Sequence, residues 1–209
     1  MKLAVFGASG RTGREVVRQA LEAGHEVVAF VRDPAKLGLE HERLRVVQGD
    51  VGDDERVAAA VAGVDAVLSA LGPTRNVPDY QVERGTRNIV AAMKRHGVRR
   101  LVATAGAGVR VPQDKPGLAD RFIKLALLLL SRHVYEDMRR TTEVVRASGL
   151  DWTVVRFPML ADGAPKGSVR SGYVGGGLGV RVTRADAAKF LLEQLHSPEY
   201  LRAAPMISN

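Results

Sequence analysis

The stretch "VFGASGRTG", residues Val5 to Gly13, ends an apolar run that begins at Lys2. Its glycines, Gly7, Gly10 and Gly13, lie three residues apart, and the helical pattern "TGREVVRQALEAG" begins inside the stretch. Glycine permits backbone conformations and close approaches that other residues do not. The stretch therefore indicates a tight connection from a buried strand into a helix, the first unit of a parallel α/β sheet.

The alternation of strand and helix continues along the whole chain. Six short apolar runs predict strands. Five of them are nearly continuous, as in strands buried on both faces, and the third looks more exposed. The predicted strands are 2–6, 26–31, 44–48, 65–70, 100–105 and 152–157. The intervening helical patterns end at Gly24, Gly63, Gly97 and Gly149, as helices commonly do. This order predicts a parallel sheet with right-handed crossovers.

We therefore predict one domain over residues 1–209, an α/β doubly wound Rossmann domain with a mostly parallel sheet. The stretch 158–179 is rich in glycine, and we expect it to form loops over the sheet edge. Residues from about 158 to 209 would form a small C-terminal region on the substrate side.

The composition excludes several classes of site. The chain of 209 residues has no cysteine, and its five histidines show no metal-ligand spacing, so we expect no metal site. The net charge is +8, but the basic residues are dispersed and no nucleic-acid-binding signature occurs, so we expect no nucleic-acid partner. The N-terminus enters a strand directly, without a charged-then-apolar leader, and we expect a cytoplasmic protein.

The longest apolar run is "FIKLALLLL", residues Phe122 to Leu130. It is about half as long as a bilayer span requires, and it contains Lys124. We therefore predict a helix that is buried or faces a partner, and no membrane partner. A partner-facing helix could serve as a dimer surface, so both a monomer and a homodimer remain open.

The glycine stretch also fits a site for a pyrophosphate. Gly7 would permit the sharp exit from the strand, Gly10 a close approach to the pyrophosphate, and Gly13 close packing of the helix on the sheet. The helix N-terminus offers N–H groups and a partial positive charge to phosphates. An ordinary strand-to-helix turn is the alternative, but the strand–helix–strand context favours a dinucleotide.

The end of the second strand indicates which dinucleotide binds. It reads "FVRDPAK", with Arg32 first and Lys36 about one helical turn later. A guanidinium pairs well with a 2′-phosphate, and Arg11 in the glycine stretch can reach the same place. Asp33 could instead bind the ribose hydroxyls of NAD, and Arg32 could be a solvated surface charge. We predict NADP(H) rather than NAD.

Two later strand ends fit the adenosine half of the same cofactor. In "GDV", Asp50 could contact the adenine amino group and Val51 the face of the ring. In "SALG", Ser69 to Gly72, small residues permit close approach of the backbone. Both stretches follow strands of the predicted sheet, at the carboxyl ends where open α/β sheets bind ligands.

With these motifs the chain resembles the atypical short-chain dehydrogenase/reductase family, in its NAD(P)H-binding, NmrA-like group, and most of all the flavin and biliverdin reductases within it. The resemblance is carried by "FGASGRTG", "VRDPAKL", "GDV", "RGTRNIVAAMKRHGVRRLVAT" and "RASGLDWTVVRFP". It implies NADPH contacts from Gly7, Ser9, Gly10, Arg11, Thr12, Gly13, Arg32, Lys36, Asp50, Val51, Ala70, Leu71 and Gly72. It further implies that Thr104 and Ala105 lie near the nicotinamide ribose, and that Pro158 and Met159 lie against the nicotinamide.

The catalytic residues of typical family members are altered here. Those enzymes use a tyrosine with a lysine four residues later, whereas this chain has Tyr135 followed by Arg139. Gly106 stands where the flavin and biliverdin reductases carry a serine, which leaves Thr104 as the hydroxyl of "TAGAG". Thr104 and Tyr135 are the candidate catalytic residues, although Tyr135 could equally be a helix-surface residue.

Two further side chains are open alternatives. His133 could donate a proton near the pocket or simply be packed. Arg156, at the end of the sixth predicted strand, could contact substrate or hydrogen-bond to neighbouring carbonyl groups.

These residues predict an NADPH-dependent oxidoreductase that transfers hydride to a planar conjugated acceptor, namely a flavin, a quinone or a biliverdin-like molecule. Such acceptors need positioning more than a protein acid, because solvent can supply the proton. The rival hypothesis is a non-catalytic NmrA-like sensor that binds NAD(P) and regulates a protein partner. An epimerase or dehydratase of nucleotide sugars is disfavoured, because little chain follows the sixth strand.

Overall fold

The computed structural model describes residues 1–118, 122, 125 and 128–209. Its helices are α1 (Arg11–Glu22), α2 (Asp54–Val61), α3 (Gln81–Arg95), α4 (Arg132–Arg146) and α5 (Arg184–Glu193), with a short 3₁₀ turn at Pro34–Lys36. Its strands are β1 (Lys2–Phe6), β2 (Glu26–Val31), β3 (Leu44–Gln48), β4 (Ala66–Ser69), β5 (Arg100–Gly106), β6 (Asp151–Phe157), β7 (Met159–Ala161), β8 (Arg170–Gly172), β9 (Arg181–Thr183) and β10 (Met206–Ser208).

Within this described part, eight strands form one sheet in the order β3-β2-β1-β4-β5-β6-β10-β8. All neighbours pair in parallel except β8, which runs antiparallel to β10. The predicted doubly wound Rossmann sheet is confirmed, and the six predicted strands match the observed bounds to within one residue at each end. The strand order reverses between β1 and β4, which is where such sheets form a ligand crevice.

The two faces of the sheet carry separate hydrophobic cores. Successive strand residues point to opposite faces, so Leu3 and Val5 of β1 pack in one core while Ala4 and Phe6 pack in the other. Buried residues of α1 and α5 cover the first face, and those of α2, α3 and α4 cover the second. The apolar strands are therefore buried on both sides, as their sequences indicate.

The glycine-rich stretch 158–179 is not only loop, which corrects the prediction. It contains β7, which pairs with β9, and β8, which extends the main sheet through β10. These strands have three residues each, too few to show an alternating pattern. The C-terminal residues also form α5, which packs against α1 on the same face of the sheet.

The apolar run before α4 is exposed wherever the structure describes it. The described residues Leu118, Phe122, Leu125 and 128–130 are helical, and Phe122 is 72% exposed. Of the two alternatives for this run, burial does not hold for these residues, and a partner-facing helix stays a prediction. Its other residues, 123, 124, 126 and 127, lie outside the described part. None of the described helices is long and apolar enough to cross a bilayer.

Candidate functional site

The glycine stretch forms a tight junction between β1, β4 and α1. Gly7 has a φ of +75°, and a Cβ there would lie 2.8 Å from the carbonyl carbon of Ala70. A Cβ on Gly13 would lie only 2.0 Å from the carbonyl oxygen of Gly7. Gly10 donates its N–H to the same oxygen at 3.0 Å. The first turn of α1 can approach the strand end this closely only because these positions lack side chains.

The N-terminus of α1 differs from those of the other helices whose bounds are given above. Its N-cap, Gly10, provides no side-chain cap. The N-termini of α2 and α5 are capped by Asp53 and Thr183, and those of α3 and α4 by Asp137 and Asn76 from neighbouring elements. The first-turn N–H groups of α1 are therefore available to an anion at the sheet edge.

Two adjoining pockets lie at the carboxyl ends of the strands. The large pocket, about 300 Å³, is lined by Gly7, Ser9, Gly10, Phe30, Val31, Arg32, Gly49, Asp50, Val51, Ala70, Leu71, Gly72, Pro73, Thr74, Arg75, Asp79, Gln81, Val82 and Asp137. The small pocket, about 190 Å³, is lined by Thr12, Ala70, Leu71, Gly72, Thr104, Ala105, Gly106, Met138, Phe157, Pro158 and Leu160. Both pockets are lined by 70–72, so they adjoin each other, and we call the pair the cleft, with Arg32 in its large pocket and Pro158 in its small one.

Four of the predicted cofactor residues line neither pocket. Gly13 is buried inside α1, where its lack of a side chain sets the helix position. Met159 is 57% exposed on β7. The other two, Arg11 and Lys36, stand near the cleft as parts of surface ion pairs.

Those ion pairs distinguish the three cations proposed for a 2′-phosphate. Arg11 pairs with Asp162 at 3.1 Å, and Lys36 pairs with Asp33 at 3.5 Å. Arg32 lines the large pocket and, within the described residues, has no ion-pair partner. Arg32 is therefore the cation most available to an anionic group in the cleft.

The wall formed by Asp50 and Val51 is positioned by residues that the sequence argument missed. The carbonyl oxygen of Val51 accepts a hydrogen bond from Asn88 Nδ2 at 2.9 Å. A Cβ on Gly85 would lie 2.5 Å from the Val51 side chain, so α3 can pack this closely only with glycine there. An isolated glycine inside a helical pattern was the available signal. Asp50 closes its own turn by accepting the Gly52 N–H at 2.8 Å.

Asp137 is a second residue that the sequence argument did not single out. Its carboxylate accepts the N–H groups of Val82 and Glu83 at 3.2 and 2.8 Å, which ties α4 to the start of α3. Burial raises the pKa of the Asp137 carboxyl above its usual value, and the nearby carboxylates of Asp79 and Glu83 raise it further. The two backbone hydrogen bonds lower the pKa, but by less than these effects raise it. Asp137 thus fixes the wall of the large pocket from a different helix.

The small pocket has an apolar floor and few proton-transfer groups. Thr104 and Thr12 provide hydroxyls, whereas α4 contributes Met138, whose Sδ lies 3.5 Å from the position of a Cβ on Gly106. Tyr135 is not among the lining residues. Arg139 pairs with Glu136 at 2.6 Å. The arrangement of a tyrosine with a nearby cation is therefore not found in this pocket.

Arg156 stabilises the loop after β5 and lines neither pocket. Its guanidinium is fully buried and pairs with Asp114 at 2.7 Å. It also donates to the carbonyl oxygens of Ala204 and Val109 at 2.8 and 2.9 Å. Of the two alternatives for Arg156, the structure shows hydrogen bonding to carbonyls, with an ion pair in addition. His133 packs edge-on against Tyr80, with ring centroids 6.4 Å apart, and lines neither pocket.

Comparisons with known proteins agree with this geometry. Residues 7–198 match the sequence model of a family described as NAD(P)H-binding. A 3-beta-hydroxysteroid dehydrogenase from Mycolicibacterium neoaurum is 37% identical over 120 residues, which cover 52% of this chain and 32% of that protein. The chain thus spans about a third of that relative's length.

Two solved structures share the fold over the full length of this chain. A short-chain dehydrogenase/reductase from Veillonella parvula, in complex with NADP, has a TM-score of 0.80 and 19% identity, with 94% of that chain covered. ChuY, an anaerobillin reductase from Escherichia coli O157:H7, has a TM-score of 0.79 and 21% identity, with 97% covered. The glycine junction, the uncapped α1 N-terminus and the family match over 7–198 lead to one conclusion. The chain belongs to this NAD(P)H-binding family and has its Rossmann fold.

Proposed function

We propose that this protein is an NADPH-dependent reductase that transfers hydride to a planar conjugated acceptor of the flavin, quinone or biliverdin class. The observation that carries the proposal is the cleft. The large pocket contains Arg32, the uncapped N-terminus of α1 contributes Gly10 to the large pocket and Thr12 to the small one, and the small pocket is apolar and has no tyrosine among its described lining residues.

The residues of the cleft fit a dinucleotide. The first-turn N–H groups of α1 suit a pyrophosphate, because a helix N-terminus carries a partial positive charge and unpaired donors. Two of the three residues that line both pockets, Ala70 and Gly72, are small, and nothing lies within 4 Å of a Cβ position on Gly72. The adenosine half would then lie in the large pocket and the nicotinamide in the small one, beside Thr104 and Pro158.

The availability of Arg32 favours NADPH over NADH. Arg32 lines the large pocket and has no ion-pair partner among the described residues, and a 2′-phosphate would supply one. Asp33, the alternative ribose ligand, instead caps the 3₁₀ turn by accepting the Ala35 N–H at 3.1 Å and pairs with Lys36. The Veillonella parvula structure that shares this fold was solved with NADP, which is consistent with this choice.

Replacing Arg32 tests this cofactor preference. We expect Arg32→Ala to weaken NADPH binding about 10- to 100-fold while NADH binding changes little, because a charge-assisted hydrogen bond to phosphate contributes about 1.5–3 kcal/mol. Fluorescence titration of both nucleotides gives the ratio. Lys36→Ala is the matched control and should change NADPH binding less, since Lys36 is already paired with Asp33. An unchanged NADPH affinity in Arg32→Ala would contradict the preference.

The small pocket suits an acceptor that needs positioning more than acid catalysis. Bound NADPH supplies a hydride from its nicotinamide to an adjacent acceptor. The apolar side chains of Met138, Phe157 and Leu160 provide surfaces for a flat ring, and water at the pocket mouth can supply the accompanying proton. ChuY, whose name is that of an anaerobillin reductase, shares the fold. That likeness is consistent with a biliverdin-like acceptor in this chain.

The candidate acid–base residues can be tested separately. We expect Tyr135→Phe to keep hydride-transfer rates within about two-fold of wild type, because Tyr135 does not line the small pocket. Thr104→Val should lower the rate by about ten-fold or less, as loss of a positioning hydrogen bond does. Single-turnover oxidation of NADPH with each acceptor measures both effects. A loss of about 100-fold or more in Tyr135→Phe would show that the tyrosine takes part.

The first experiment on function is titration with NADPH and NADH, followed by oxidation assays with FMN, a quinone and biliverdin. Tight NADPH binding with turnover of one of these acceptors supports the reductase. Tight binding without turnover of any of the three favours the sensor, an alternative that also agrees with the lack of a tyrosine in the small pocket. Binding of neither nucleotide would refute both hypotheses.

A further inference from the structure

The described residues of 118–130 form an exposed apolar face. Leu118, Phe122, Leu125 and Leu129 follow the i, i+4, i+7, i+11 spacing of one side of a helix. They are 73, 72, 53 and 75% exposed, and Leu130 is 77% exposed. Surface helices normally turn such a stripe toward the core, so the orientation here is reversed. We call these five residues the apolar face.

The sequence around the apolar face is rich in basic residues. Between residues 115 and 132 it has four cationic residues, Lys115, Arg121, Lys124 and Arg132, against one aspartate, Asp120. The whole chain carries a net charge of +8. Apolar side chains with surrounding cations are the combination that binds anionic lipid surfaces.

The same charge argues against a second copy of the chain as the occupant. Two copies of this basic segment would bring like charges together in one interface, and such contacts are unfavourable. Phospholipid headgroups with negative charge would instead neutralise the cations while the leucine and phenylalanine side chains enter the acyl boundary.

The segment that carries the apolar face is hydrogen-bonded to the rest of the fold at both ends. Upstream of it, the Lys115 N–H donates to the Val174 carbonyl oxygen at 2.8 Å. At its end, the Leu130 carbonyl oxygen accepts from Asn76 Nδ2 at 3.2 Å. The elements on either side, β5 and α4, contribute Gly106 and Met138 to the small pocket. The segment therefore lies in the chain between two elements that line the small pocket.

We propose that the apolar face docks this protein on the surface of an anionic lipid bilayer. The expectation of no membrane partner rested on the length of a span, and surface docking requires no span. Lipid-soluble acceptors would then reach the small pocket at the bilayer surface, a consequence that rests on the proposed function, whereas the docking itself does not.

Sedimentation with lipid vesicles tests the docking. We expect the protein to bind phosphatidylcholine vesicles that contain phosphatidylglycerol, to bind pure phosphatidylcholine much less, and to dissociate as salt is raised. The double variant Phe122→Gln/Leu129→Gln should bind anionic vesicles at least about ten-fold more weakly than wild type, because it loses two inserted apolar side chains without a change in charge. The matched control is Leu201→Gln, 45% exposed near the opposite edge of the sheet, which should bind like wild type.

Three outcomes would overturn the proposal. The first is failure of the wild type to bind anionic vesicles, and the second is equal loss of binding in Leu201→Gln. The third is a dimer, seen by light scattering, that the double variant converts to monomer while vesicle binding is absent; a second copy would then cover the face. Thermal melts and NADPH titration of each variant report folding and cofactor binding, so failure of docking is distinguishable from failure of the proposed reductase.

Discussion

We expect the Gly13→Ala variant to lose NADPH binding and to be destabilised by about 3 kcal/mol or more, the upper end of what overpacking costs. The new Cβ would lie 2.0 Å from the Gly7 oxygen, 2.8 Å from the Gly7 carbonyl carbon and 2.9 Å from the Ala8 Cα. All three are backbone atoms of the β1–α1 junction, so no rotamer change relieves the contact. The first turn of α1 must move away from the sheet, and its N–H groups move with it.

Urea unfolding and NADPH titration measure the two effects in the same preparation. Gly72→Ala is the matched control for stability, because nothing lies within 4 Å of the Cβ position on Gly72. We expect that control to unfold at the urea concentration of the wild type. If Gly13→Ala bound NADPH with wild-type affinity, the α1 N-terminus would not be the pyrophosphate site, and the assignment of the cleft to a dinucleotide would have to be abandoned.

The parts of the fold that were predictable are those with a strong local pattern. Strands buried on both faces show as continuous apolar runs, and helices show a period of 3.6 residues. The strands β7, β8 and β9 have three residues each and lack such a pattern. Their formation depends on partners distant in sequence, as when Arg170 to Gly172 pairs with β10 more than 30 residues later.

The same distinction applies to the candidate site. Residues at strand ends, such as Arg32 and Asp50, could be placed because the carboxyl ends of parallel strands lie on one edge of the sheet. Asp137 and Asn88 could not be found, since their roles depend on how α4 and α3 pack. The family motif also predicts a role for Tyr135, whereas the packing of α4 places Met138 in the small pocket.

The apolar run shows a further limit of sequence reasoning. Hydrophobicity alone predicts burial, because apolar side chains in water are unfavourable. The pattern of apolar residues at 118, 122, 125 and 129 is the same whether the stripe faces a core or an external surface. Only the exposure of Phe122 and Leu129 distinguishes the two.

The buried ion pair between Arg156 and Asp114 gives the second large effect. Both side chains are almost fully removed from solvent, at 0% and 2% exposure. Asp114 also accepts the N–H groups of Val111 and Val174 at 3.0 Å each, so one carboxylate joins the loop after β5 to the residues after β8. Its removal would leave a buried guanidinium without a counter-charge.

We therefore expect Asp114→Ala to lower the free energy of unfolding by about 3–5 kcal/mol, the usual result of breaking a buried pair from one side. Asp162→Ala is the control for an exposed pair. Asp162 contacts Arg11 and Arg184 but is 67% exposed, and its loss should change stability by about 1 kcal/mol or less. Equal urea midpoints for the two variants would show that the buried pair contributes no more than a surface one.

The pH dependence of stability provides an independent measurement of the same pair. Burial alone would raise the pKa of Asp114, but the hydrogen bonds from Arg156 and the two backbone donors outweigh it and hold the pKa below its usual value. A carboxyl with a lowered folded-state pKa stabilises the fold above its unfolded pKa, and this contribution is lost as the pH falls through the folded value. Wild-type stability should therefore fall as the pH drops below about 4. Asp114→Ala should show a shallower fall over that range, because the group that titrates is gone; parallel curves for the two proteins would mean that other carboxyls account for the acid sensitivity.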